Sequence, residues 1–125
     1  MKLKPLFATL CGAAILATAV TDVSAAGIRV KCEKRADRSK ISVDGDGLVT
    51  GLCKAIVISG ANSKTSGAKP TVGDEVEFDF DSAPNDIAAG ATAISRNFIQ
   101  GAVTGKIVNA AGRVVANDTV ACRTR

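Results

Sequence analysis

The side chains best placed to do chemistry in this sequence are closely spaced carboxylates: Glu75, Glu77, Asp79 and Asp81, followed by Asp86. Two such groups can divide acid and base roles when their surroundings push their proton affinities apart. Here they alternate with Val76, Phe78 and Phe80. A strand sends successive side chains to opposite faces, so the spacing predicts one apolar face and one acidic, solvated face. Solvation removes the burial that would drive the acid and base apart. The chain has no histidine. Ser/His/Asp and Cys/His nucleophiles therefore lack their base, and zinc or copper has no imidazole ligand. The four cysteines, Cys11, Cys32, Cys53 and Cys122, make neither a Cys-x-x-Cys redox pair nor a zinc spacing. A non-enzyme is expected, with a small hydrolase using paired carboxylates as one alternative.

Calcium chemistry is the other alternative. Asp44-Gly45-Asp46-Gly47 begins like an oxygen-rich loop, but Leu48 and Val49 stand where an EF-hand needs a ligand and a glycine. Asp79, Asp81, Asn85 and Asp86 form a second oxygen cluster that a loop could fold around one hard cation. That would make the chain a calcium-stabilised extracellular module. The plainer reading makes Asp81, Asn85 and Asp86 turn residues and Asp79 a solvated side chain.

Basic residues gather elsewhere. Lys31, Lys34, Arg35, Arg38 and Lys40 crowd one stretch, and Arg123 and Arg125 join them if the terminal strands pair. Such a patch suits an anionic envelope component or an acidic protein surface. Its plainer reading is a set of charges that guards a sheet edge. Nucleic acid is not expected, because base stacking needs aromatic platforms and the chain has no tryptophan or tyrosine. Phe78, Phe80 and Phe98 are assigned to the core.

Several segments resemble small exported proteins of Gram-negative bacteria that carry no assigned function: Gly73 to Ser82, Pro84 to Ile94, Phe98 to Gly101 and Thr119 to Arg123. The resemblance implies export and a small β-rich domain. It carries over no catalytic or binding residue.

The elements that would position these groups read as short strands behind a leader. Residues 1–25 fit a cleaved signal peptide: Lys2 and Lys4, an apolar run from Leu6 to Val20, then Val23-Ser24-Ala25 before the cut. Cleavage removes Lys2, Lys4 and Asp22, lowering the net charge of +4 by one. Residues 26–125 then form a single domain with no membrane span, periplasmic or secreted. Three cysteines remain in an oxidising compartment, so one bridge and one spare thiol are expected. Val30-Lys31-Cys32 and Val120-Ala121-Cys122 each put an apolar residue and a cysteine on one face. This favours Cys32–Cys122, with Cys53 a buried thiol, over Cys32–Cys53.

Strands are expected around Ile28–Glu33, Ser39–Val43, Leu52–Ser59, Gly73–Asp81, Thr92–Ile99, Val103–Val108, Arg113–Ala116 and Thr119–Arg123. Turns are expected at 44–47, at 109–112 and at Asn117-Asp118, a loop at 60–70, and at 82–90 a loop crossing from one sheet to the other, in which Pro84-Asn85-Asp86 could cap a single helical turn over 87–89. The run Ala55-Ile56-Val57-Ile58 suggests a strand covered on both faces. With no sustained helical period, this spacing predicts an all-β fold, an antiparallel immunoglobulin-like sandwich of about seven strands.

Overall fold

The computed structural model describes residues 26–125. The expected signal peptide, residues 1–25, lies outside the described residues.

Ten strands and one helical turn follow in order: β1 (Gly27–Arg35), β2 (Arg38–Asp46), β3 (Leu52–Ser59), β4 (Asn62–Thr65), β5 (Lys69–Pro70), β6 (Val76–Asp81), α1 (Pro84–Ala88), β7 (Thr92–Ala93), β8 (Val103–Asn109), β9 (Val114–Val120) and β10 (Arg123–Thr124). They build two sheets. The first has the order β10-β1-β2-β6-β7; the second runs β4-β3-β8-β9, with β5 also pairing β3. Most pairings are antiparallel, but two short ones, β1 with β10 and β6 with β7, are parallel.

Alternation places the core between the sheets. Val30 and Cys32 of β1, Ile41 and Val43 of β2, and Val76, Phe78 and Phe80 of β6 point inward from the first sheet. Cys53, Ala55 and Val57 of β3 and Val103 and Ile107 of β8 meet them. Each sheet also offers a glycine opposite a bulky neighbour. A Cβ on Gly105 would stand 2.7 Å from Val30 Cγ2, and one on Gly45 would strike Ile107. The absent side chains let the two layers close.

Residues 94–102 cross one end of the sandwich as a plug. Its Ile94, Phe98 and Ile99 are buried in the core. Buried Ser39 of β2 donates its hydroxyl to Arg96 O (2.8 Å) and accepts from Ile99 N–H (3.3 Å). Ser59 of β3 donates to Ala102 O (2.9 Å) and accepts from Gln100 N–H (2.7 Å). One serine from each sheet thus holds the plug. A strand over Thr92–Ile99 was expected, yet only Thr92–Ala93 pairs; the serines capture the backbone groups that a longer ladder would have used.

Cys32 and Cys122 form a disulfide, so the longer of the two expected pairings is the one present. Cys122 sits between β9 and β10, where the chain passes from the second sheet to the first. The bridge therefore fixes the switch. Cys53 is a free, buried thiol whose proton affinity is raised by burial.

Other expectations are corrected. No turn forms at Asn117-Asp118; β9 runs through both, opposite Lys106 and Gly105. β9 is an edge strand, where polar side chains are tolerated facing water. β2 likewise continues to Asp46, and the turn begins at Gly47 with φ of 63°. The 60–70 segment is not a plain loop but a hairpin arm, β4, plus the short β5. β3 is covered on one face only, since Ile56 and Ile58 are half-buried.

Candidate functional site

The outer face of the first sheet carries the charges. Pairing across β1, β2 and β6 sets them in rows: Arg29, Asp44 and Glu77; then Lys31, Ser42 and Asp79; then Glu33, Lys40 and Asp81. Arg123 of β10 extends the third row beside Glu33. Cations collect toward β1 and β10, and carboxylates along β6.

The seven basic residues of the expected patch divide into two sets. Arg38 is fully committed: Nε donates to Asp81 Oδ1 (2.9 Å) and Nη2 to Asp81 Oδ2 (2.6 Å) and to Asp86 Oδ2 (2.8 Å). Arg35 Nε donates to Glu33 Oε2 at 2.6 Å, and Arg125 Nε lies 3.7 Å from the same oxygen. Lys34 Nζ donates to the carbonyls of Arg35 (2.7 Å) and Arg96 (3.2 Å). Lys31, Lys40 and Arg123 make the second set. None of the ion pairs among the described residues involves them. All three line one groove of about 620 Å³, with Ser42, Glu33 and Asp79.

Glu33 explains part of this separation. Its carboxyl turns toward Arg35 and Arg125. The Arg35 hydrogen bond and the neighbouring arginine charges hold it below its usual range against the opposing effect of burial. One of the two acids in the groove is thus already engaged, by Arg35 and Arg125 beyond it and more weakly by Arg123 within it. Three ammonium or guanidinium groups around a serine hydroxyl can hold an anion through charge and hydrogen bonds together.

The structure resolves the acidic cluster differently from the expected solvated set. Asp81 does not face water; it is 2 % exposed. Burial by itself would raise its proton affinity. Hydrogen bonds from Arg38 and from the Ala83 and Ser82 backbone, with the Arg38 charge, outweigh that and hold it low. Such a carboxyl is a poor proton donor near neutrality. Arg38 is in turn raised, chiefly by its hydrogen bonds to Asp81. The guanidinium brings Asp81 and Asp86 together, whereas Asp79 stands exposed in the groove and Asn85 is exposed in α1. The alternation of β6 gave the side of the sheet correctly for Asp81. It could not show that the chain after Ser82 folds back over it.

Asp44, weighed in the sequence only as the start of an oxygen-rich loop, stands on the same charged face beside the groove. It is half-buried, and its proton affinity is raised by burial first and by Glu77 and Asp79 second, against Lys31 and Arg29. Its signal lay in register: only pairing places Asp44 opposite Glu77.

Set against known protein families the chain matches none, and no curated protein is significantly similar to it.

Proposed function

We propose that this protein is an exported, non-enzymatic β-sandwich, periplasmic or secreted, that works by contact with an anionic partner through the groove at Lys31, Lys40 and Arg123. The observation that carries the reading is the division of cations just described. Arg35, Arg38 and Arg125 hold carboxylates in ion pairs and Lys34 donates to two carbonyls. Lys31, Lys40 and Arg123 line the groove beside Ser42 without an ion pair, with Asp79 as its exposed carboxylate. Export is supported by the leader pattern and by the Cys32–Cys122 bridge, a bond that persists in oxidising compartments. Immunoglobulin-like topology is supported by the strand order. β1-β2-β6 and β4-β3-β8-β9 follow the A-B-E and C′-C-F-G arrangement of such sandwiches.

Retention of residues 26–125 on immobilised dextran sulfate, eluted with a salt gradient, tests the groove. The variant carrying Lys31→Glu, Lys40→Glu and Arg123→Glu is expected to elute much earlier than one carrying Lys54→Glu, Lys64→Glu and Lys106→Glu, which has the same net charge. Equal elution of the two variants would reduce the groove to bulk charge and end the proposal.

A further inference from the structure

The fold leaves one side of β6 half-finished. β6 pairs with β2 along its whole length, but β7 covers its other side only at Phe80 and Asp81. Backbone groups alternate between the two sides of a strand. Ser82 N–H donates to Ser39 O (3.1 Å), so the even-numbered residues face β2 while Glu77, Asp79 and Asp81 face away. Ile94 N–H takes Asp81 O (3.0 Å). At the other end Val72 N–H donates to Glu75 O (2.8 Å) and Glu75 N–H to Val72 O (3.1 Å). Between these clamps the N–H groups of Glu77 and Asp79 have no partner among the described residues, and Glu77 O accepts from Lys69 Nζ (2.6 Å).

This gap opens on a groove of about 610 Å³ lined by Ser66, Gly67, Ala68, Lys69, Phe78 and Asp79. Lys69 lies across it, its ammonium 5.6 Å from the centre of the Phe78 ring. A lysine there guards the edge against chance pairing. Yet Lys69 is exposed, and its bond to Glu77 O is the one that an incoming N–H would replace.

Charge says what kind of strand fits. The side chains of an added strand lie abreast of those of β6. On the outer face these are Glu77 and Asp79, both exposed and in none of the ion pairs among the described residues. Lys40 also lines the groove, but in the row of Asp81 rather than of Glu77 or Asp79. Toward the core the strand would meet Phe78, beside the small residues Gly67 and Ala68. A second copy of β6 is a poor mate, because its own acids would oppose these.

We infer that the Glu77–Asp79 edge of β6 receives an extended segment of a partner protein as an added strand, with basic side chains beside Glu77 and Asp79 and small apolar ones beside Phe78. In this mode of recognition main-chain bonds supply affinity and alternate side chains supply selectivity. Three edge groups are on offer, so the contact is weak and reversible.

Amide NMR tests this on residues 26–125, which contain every element and the whole core cluster. The probe is a capped hexapeptide that alternates lysine with valine. The Glu77 and Asp79 N–H signals should shift and their hydrogen exchange should slow. Two isomers of the peptide carry backbone N-methyl groups, one on its lysines and the other on its valines. Whichever way the peptide runs, only one isomer keeps the N–H that meets Glu77 O. Their charge is equal, but their affinities should differ by about tenfold or more. Glu77→Lys with Asp79→Lys should weaken binding of the parent peptide by about tenfold. Asp37→Lys with Asp118→Lys, of the same net charge, should not. The methylated pair needs no variant, so a misfolded one leaves the test standing. The inference is overturned if the parent peptide does not bind at millimolar concentration, if its shifts spare Glu77 and Asp79, or if the two methylated peptides bind equally. It is also overturned if those two amides are protected in a dimer without peptide, because a second copy is then the occupant.

Discussion

Arg38 and Asp81, one strand apart on β2 and β6, meet in a two-point pair, Nε to Oδ1 at 2.9 Å and Nη2 to Oδ2 at 2.6 Å. The pair joins the edge of a charged sheet face to the segment after β6, because Asp81 also accepts from Ala83 N–H and Arg38 also reaches Asp86. Removing the guanidinium leaves a carboxylate out of water without its counter-charge. Arg38→Ala is expected to cost about 3–5 kcal/mol, read from urea unfolding.

Acid should erase that contribution. Asp81 is held below its ordinary range in the folded state, so its stabilisation is complete above the unfolded value, about 3.9, and is lost as pH falls through the lower folded value. The melting-temperature gap between the unsubstituted protein and Asp81→Asn should be wide at pH 7 and close on acidification. A gap independent of pH would mean that the pair contributes packing rather than charge.

Asp44 should behave in the opposite sense. Its proton affinity is raised by burial and by Glu77 and Asp79, so the ionised form carries a penalty that grows as pH rises through its folded value. Asp44→Asn should stabilise the protein at pH 7 by about 0.2–1 kcal/mol, the scale of a like-charge cross-strand pair. At pH 3 the gain should vanish. Paired thermal melts at the two pH values decide it.

Ser39→Ala removes a hydroxyl that satisfies two backbone groups of the plug. A buried group left without its partner costs about 1–3 kcal/mol. Amide exchange of Ile99 should accelerate while that of β8 stays protected. Uniform acceleration across the domain would show that the plug opens only with global unfolding.

Reducing the Cys32–Cys122 bond frees a closure of 90 residues. On the loop-entropy account this is worth about 4–5 kcal/mol. The melting temperature should fall on reduction and in the Cys32→Ala, Cys122→Ala variant alike. Cys53 should stay unreactive to thiol reagents until unfolding, since it is buried and its proton affinity is raised.

The sheets were more legible in the sequence than the site. Val76, Phe78 and Phe80 announced β6 because period-two alternation survives any change of partner. The matched Val-x-Cys segments likewise pointed to Cys32–Cys122. Composition failed where long-range backbone partners decide. Asn117-Asp118 has turn chemistry, yet β8 recruits it into β9. Ile94 and Phe98 have strand chemistry, yet Ser39, Ser59 and Asn62 draw their segment across the sandwich end. Seven cations were visible as a cluster, but which three remain unpaired depends on the carboxyl orientations of Glu33, Asp81 and Asp86. Those orientations follow from the folded backbone, not from spacing.

The placement of the disulfide bears on how the chain is made. Among the cysteines of residues 26–125, synthesis delivers Cys32 first, Cys53 soon after, and Cys122 well after both. An oxidant acting on the nascent chain would therefore meet Cys32 and Cys53 before the correct mate has been made. A Cys32–Cys53 bond made in that interval would have to be exchanged before the native one forms, and the thiol that β3 finally hides is the one that would have to be released.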